Sequence, residues 1–204
     1  MNLQIDKSND KPSLFYYEDN VFNDDELQFL FRLNYREGNY ETKDYGILQV
    51  TRKQLWFQTE NKYFCPLWKK RIHRWESNCY FEELFSIQNK VQNYVNKLFN
   101  TNEELRPEIN SCLINYYETG NEFIPPHKDS SISFGEYPTI VCISYGDSRI
   151  LTLKNEEETY SFNLKSNSMF IMSGSSQKYY THQIEKKEGS LVPRYSLTFR
   201  EFIL

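Results

Sequence analysis

After Pro107 the chain becomes a succession of short runs rich in β-branched and aromatic residues, with no helical stretch between them. The runs are 112–117 (CLINYY), 139–145 (TIVCISY), 149–153, 159–164, 168–172 and 194–203, and Gly120, Gly135, Gly146, Gly174 and Gly189 supply turn material. Six short strands without helical crossovers can pair only as an antiparallel sandwich or barrel.

The preceding half reads differently. Asn23, Asp24 and Asp25 are good helix-capping residues, and Leu27, Leu30 and Phe31 follow at helical spacing. From Phe81 to Phe99 a longer helix is expected, with Leu84, Ile87, Val91, Tyr94, Val95 and Leu98 as one apolar stripe. Residues 46–65 look extended and aromatic, with breaks that suggest a hairpin or loops. The predicted class is α+β: N-terminal helices packed on a C-terminal β-barrel or jelly roll. Residues 1–13 are expected to form a flexible polar tail, and 14–204 a single domain, a length that can bury a sizeable core.

No run approaches the ~18 apolar residues of a membrane span, and MNLQIDKSNDKPS carries acids and amides where a signal peptide would be apolar. An intracellular, cytoplasmic or nuclear protein is expected, not a secreted one, and a monomer. Cys65, Cys79, Cys112 and Cys142 form no CxxC pair, and buried free thiols explain Cys112 and Cys142 better than disulfides or zinc. The net charge is −4, yet Arg52, Lys53, Lys62, Lys69, Lys70, Arg71 and Arg74 face a single acid, Glu60, within one segment. Such polarisation fits either a local phosphate-binding surface on an acidic body or a solvated face.

Two of the three histidines belong to one arrangement. In an extended segment residues two apart project to the same side, so His127 and Asp129 can bind one ion together. His182, from a distant strand, completes three ligands on one face of an octahedron and leaves three positions open. Two histidines and one carboxylate are the usual signature of non-haem Fe(II) oxygenases. An isolated HxD is weak, and the stretch Arg194–Arg200 strengthens it. As a strand, RYSLTFR puts Arg194, Ser196, Thr198 and Arg200 on one face and Tyr195, Leu197 and Phe199 on the other. Inward arginines are costly to bury without anionic partners, which a dicarboxylate supplies; the alternative is an edge strand with both arginines facing water. The same parity puts Asn115 and Tyr117 on one side of their strand.

With these pieces assembled, the sequence resembles the AlkB group of 2-oxoglutarate dioxygenases, nucleic-acid dealkylases built on a double-stranded β-helix. NSCLINYYETG, HKD, PTIVCISYG, MFIMSGSSQKYYTH and PRYSLTFR appear in the family's order and at roughly its spacings, over nearly half of the chain. TRKQ at Thr51–Gln54 is similar to the start of the family's nucleotide-recognition region, here 46–75, ahead of a catalytic β-core at 108–204. The resemblance implies that His127, Asp129 and His182 hold Fe(II). It implies that Arg194, helped by Tyr117, pairs with the distal carboxylate of 2-oxoglutarate, that Asn115 and Arg200 sit near its metal-bound end, and that Ser196, between the arginines, belongs to the same binding site. Arg52 and Lys53 would lie near the substrate backbone, and one of Trp56, Tyr63 or Phe64 would stack on a base. The implied reaction consumes O2 and 2-oxoglutarate and removes N-linked methyl groups from alkylated DNA or RNA as formaldehyde.

Two departures stand out: Ser131 replaces an acid that many DNA-repairing members carry, and Ser196 replaces a frequent Asn. His73, Trp68, Trp75, Lys186 and Lys187 are expected in surface or packing roles. Competing readings with the same iron core are an RNA demethylase or a protein side-chain hydroxylase; outside enzymes, the competitor is a non-catalytic reader of modified nucleic acid.

Overall fold

A computed structural model describes residues 2–5, 10–37, 40–42, 46–48, 50–59 and 77–203. Tyr63, Phe64, Cys65, Trp68, His73 and Trp75, with most of the basic segment, lie outside the described residues. The strands are β1 (Asn2–Ile5), β2 (Ser13–Glu18), β3 (Tyr40–Thr42), β4 (Gly46–Leu48), β5 (Lys53–Gln58), β6 (Asn78–Cys79), β7 (Ser111–Tyr117), β8 (Ile124–His127), β9 (Ile140–Gly146), β10 (Arg149–Lys154), β11 (Thr159–Leu164), β12 (Ser168–Gly174), β13 (Thr181–Ile184) and β14 (Arg194–Arg200). The α-helices are α1 (Asp24–Leu27), α2 (Glu82–Leu98), α3 (Ser131–Phe134) and α4 (Ser176–Tyr179).

Two sheets form a jelly roll. The major sheet runs β1-β2-β12-β9-β14-β7-β5-β6 and the minor one β11-β10-β13-β8, while β3 and β4 pair separately. All pairings are antiparallel except β5 with β6. Period-two alternation divides each central strand between two cores. Phe15, Tyr117, Ile140, Cys142, Phe170 and Met172 face inward and meet Leu151, Leu153, Phe162 and Leu164 of the minor sheet. Cys112, Ile114, Val141, Ile143, Ile171, Leu197 and Phe199 face outward, beneath α2. Cys112 and Cys142 are the expected buried free thiols, whereas Cys79 is exposed.

The long helix spans Glu82–Leu98 as its periodicity predicts, with Leu84, Ile87, Val91 and Val95 buried. Glu82 and Glu83 in its first turn oppose the positive end of the helix dipole. Each such fully buried aliphatic side chain contributes ~1.5–3 kcal/mol, so truncating Leu84 to Ala would strip the sheet of its cover at about 2–5 kcal/mol. The Asn23 cap is present: its side chain accepts from the Glu26 amide, and Glu26 reaches back to the Asn23 amide. The helix it starts tightens into a 3-10 turn at Gln28–Arg32, which rotates Phe31 out of the expected stripe. Phe31 is 57% exposed and rests its ring 5.5 Å from that of Tyr195.

One expectation needs correction. The loose tail contains β1, which pairs with β2, and Asp10 accepts hydrogen bonds from Lys178 and Tyr179; a short edge strand of mixed polarity carries little periodic signal. Beside the expected N-terminal helices, β1, β2, β5 and β6 extend the major sheet. The β-core also holds β8 and β13, the extended segments of the two histidines, whose bounds the sequence does not define because each has four residues and β8 contains two prolines. As the edge of its sheet, β8 tolerates them.

Candidate metal and co-substrate site

β8 and β13 are the strands that carry the histidines. Their register sets His127 opposite His182, with ring centroids 4.1 Å apart, and an irregularity follows between His182 and Ile184. Asp129 leaves β8 on the same side, and one ligating atom from each of the three residues lies within 4.8 Å of the others. Asp129 Oδ1 is 3.7 Å from His127 Nε2 and 4.0 Å from His182 Nε2. His127 Nδ1 lies 2.9 Å from the Pro125 carbonyl; donating there, it leaves Nε2 as the free lone pair. The Asp129 amide donates to Gln177 Oε1 at 2.9 Å, fixing the loop.

Burial lowers the His127 pKa against the pull of Asp129, and burial with the neighbouring His127 pushes His182 down to about 3. Burial raises the Asp129 carboxyl, but Arg200 and the two histidines outweigh it and hold it below the ordinary carboxylate value. Two neutral imidazoles and an ionised carboxylate therefore converge their lone pairs in a mostly dry corner. They repel one another unless a cation sits between them, so the donor set fits a divalent metal with one hard and two borderline ligands.

This corner opens into a cavity of about 390 Å³, within the range of small-molecule sites. β14 and β7 form its opposite wall, with Arg194 paired to Tyr117 and Ser196 to Asn115. The alternation predicted for RYSLTFR holds: Arg194, Ser196, Thr198 and Arg200 all line the cavity. Gly146 lets β14 approach, since a Cβ there would lie 2.3 Å from the Pro193 carbonyl oxygen.

The two arginines are partnered differently. Arg200 Nε donates to Asp129 Oδ2 at 2.5 Å, and its guanidinium lies 5.1 Å from the Phe134 ring centre. Arg194 is fully buried, donates from Nη2 to Ser144 Oγ at 2.9 Å and stacks 4.9 Å from the Tyr117 ring centre. Its Nε and Nη1, and the Tyr117 hydroxyl, are buried without a hydrogen-bond partner among the described residues. A dry, underbonded guanidinium beside an orphaned hydroxyl suits a carboxylate.

Arg52 and Lys53, expected together at the substrate backbone, separate. Arg52 turns into the cavity and donates from Nε to Asn115 Oδ1 at 2.8 Å; burial lowers its pKa, although a guanidinium stays charged near neutral pH. Lys53 is on the other face of β5, ion-paired to Glu37 and Glu118 at 3.5 and 3.2 Å. Adjacent residues of an extended segment point apart, which the sequence already implied. Trp56 borders the cavity but is 3% exposed, packed with Leu113, Phe134 and Phe202. Ser130 lines the cavity, whereas Ser131 is exposed at the start of α3. Three contributors escaped sequence reasoning: Ser144 under Arg194, Gln177 behind Asp129, and Gln54, whose amide donates to Asn115 Oδ1 at 2.8 Å. Parity with Cys142 and with Arg52 marks Ser144 and Gln54 as inward; nothing local marks Gln177.

The chain is similar to known proteins. Mouse "Alpha-ketoglutarate-dependent dioxygenase alkB homolog 3" is 30% identical over 103 residues, 45% of this chain and 36% of that protein. Arabidopsis thaliana "DNA oxidative demethylase ALKBH2" is 26% identical over 117 residues, 45% of this chain and 37% of that protein. The chain spans half or less of the length of the curated relatives it matches. The solved structure of OsALKBH1 superposes with a TM-score of 0.63 at 15% identity, covering 92% of this chain and 97% of that one, a likeness of fold. Fe(II), 2-oxoglutarate and O2 are the cofactor and co-substrates of the family whose profile matches residues 16–200, and the chain belongs to that family, the 2OG-Fe(II) oxygenase superfamily.

Proposed function

We propose that this chain is an Fe(II)- and 2-oxoglutarate-dependent demethylase of N-alkylated nucleic-acid bases, acting in the cytoplasm or nucleus. The observation that carries the reading is the pairing, in one cavity, of the His127–Asp129–His182 triad with the underbonded, buried Arg194. The nucleic-acid substrate is supported by the names of the mouse and Arabidopsis relatives and by the basic segment 52–74 of the sequence.

The roles follow from the contacts. His127, Asp129 and His182 hold the metal, which when bound supplies oxidation of a methyl C–H by O2 coupled to decarboxylation of 2-oxoglutarate to succinate. Arg194 and the Tyr117 hydroxyl bind the distal carboxylate of 2-oxoglutarate and set its reach towards the triad. Arg200 fixes which Asp129 oxygen remains free, leaving Oδ1 towards the histidines. Gln54 and Arg52 lock the Asn115 amide, whose Nδ2 is 3.5 Å from Ser196 Oγ, so that wall keeps its shape when the co-substrate enters. Leu113, Ile140, Leu151 and Met172 give the cavity apolar walls that exclude water. The hydroxymethyl product then loses formaldehyde and regenerates the N–H or free nitrogen of the base.

The test is succinate and formaldehyde release by Fe(II)-loaded protein with 2-oxoglutarate, with and without single-stranded oligonucleotides bearing N1-methyladenine, N3-methylcytosine or N3-methyluracil. Equimolar succinate and formaldehyde, both stimulated by a methylated strand, support the reading. Succinate released without any such stimulation moves the substrate to another class, such as a protein side chain. Bound iron with no turnover would favour a non-catalytic reader.

A further inference from the structure

The cavity's charge speaks to the charge of the substrate. Four cationic side chains, Arg52, Lys128, Arg194 and Arg200, line it against one carboxylate, Asp129, among the described residues. Asp129 is already committed to Arg200. A divalent metal at the triad and a dicarboxylate on Arg194 cancel each other's charge, so neither removes the excess. Lys128 donates to the Lys178 carbonyl at the exposed rim of the cavity, where solvent screens it, so the excess inside rests on Arg52. Arg52 is mostly buried, gives only Nε to Asn115, and is paired with no carboxylate among the described residues. The residues after Asp129 are Ser130 and Ser131, neither charged. The neighbouring stretch 60–76 has five Lys or Arg against two Glu in its sequence, so its composition supplies no negative excess.

We propose that this site selects N-methylated bases that are electrically neutral and carry ring carbonyls, of the 3-methyluracil or 3-methylthymine type, over cationic bases such as N1-methyladenine and N3-methylcytosine, with Arg52 as the specificity-determining residue. The inference rests on the demethylase reading above. Methylation at a ring nitrogen that forms part of the base's conjugated amidine fixes a positive charge, whereas methylation of an imide nitrogen does not. Beside the half-buried Arg52 guanidinium, a positive charge on the base is repelled with less screening than at an exposed surface. A ring carbonyl instead accepts from the guanidinium N–H groups that Asn115 does not use.

N3-methylcytosine and N3-methyluracil share the ring and the methyl group and differ at position 4 and in charge. The experiment compares kcat/KM for formaldehyde release from two otherwise identical single strands carrying one or the other. Anaerobic binding of both strands, followed by fluorescence anisotropy with Fe(II) and 2-oxoglutarate present, provides the second readout. Wild-type protein should favour the uracil strand by about tenfold or more in both, the factor one partly screened unit charge produces. Arg52→Gln should bring the ratio near one, and Arg52→Glu should reverse it. If Arg52→Glu does not fold, Arg52→Gln carries the test. Equal handling of both strands by the wild type, or preference for the cytosine strand, overturns the inference and leaves the demethylase reading standing. Demethylation of neither strand, nor of N1-methyladenine, overturns both.

Discussion

Arg194 and Arg200 lie at the two ends of β14, on the same face and nearly inaccessible to water, yet their electrostatic states are opposite. Arg200 has its counter-ion inside the chain, in Asp129. Arg194 has a serine hydroxyl, the face of a tyrosine and two idle nitrogens. Burying a guanidinium without an anion is costly, so the underbonded one is where the proposed 2-oxoglutarate carboxylate would complete the structure. The paired one, on the proposed reading, belongs to the scaffold that aims a metal ligand. Burial alone would have ranked the two alike.

The largest expected effect breaks the pair that is complete. Asp129→Ala should abolish succinate release and also lower the unfolding free energy in denaturant titrations by about 3–5 kcal/mol, because it strands Arg200. Unchanged stability would show that the Asp129–Arg200 pair contributes no net energy. Arg194→Met should do the reverse: the ligand-free protein keeps its stability or gains ~1–4 kcal/mol, while 2-oxoglutarate affinity by calorimetry falls about 100-fold, within the 2–5 kcal/mol of a truncated buried charge pair. It follows that 2-oxoglutarate should raise the melting temperature of the wild type and not of this variant. A destabilisation as large as that of Asp129→Ala would mean that Arg194 has an anionic partner in the free protein. The smallest effect sharpens the comparison. Ser144→Ala removes one hydrogen bond to Arg194 and should weaken 2-oxoglutarate binding severalfold, about 1 kcal/mol, with kcat unchanged. A fall in kcat with KM intact would place Ser144 closer to the chemistry than its contacts indicate.

How much of this was legible depended on how local the signal was. The alternation in RYSLTFR needs only adjacent positions, and it put both arginines on the right face. The α2 stripe was equally local. His127 and Asp129 could be paired from spacing alone, but the strands that set His127 against His182 are short and gain their order from each other across the fold. The fates of the two arginines were not legible, because Asp129 and Ser144 reach them from loops and strands 50 residues or more away in sequence. The sequence places Arg52 and Lys53 side by side, and only their opposite directions at the start of β5 divide a cavity residue from a surface one.

The position of β14 has a consequence for how the molecule is made. It hydrogen-bonds to β9 on one side and β7 on the other, in the middle of the major sheet. A nascent chain ending before Arg194 would already carry His127, Asp129 and His182, but β7 and β9 would flank a gap with unsatisfied backbone on both edges. Closing that gap joins segments far apart in sequence, a slow step of high contact order. Folding and assembly of the proposed co-substrate site are thereby one event, so partially synthesised or clipped chains would hold the His127–Asp129–His182 triad without the sheet that faces it.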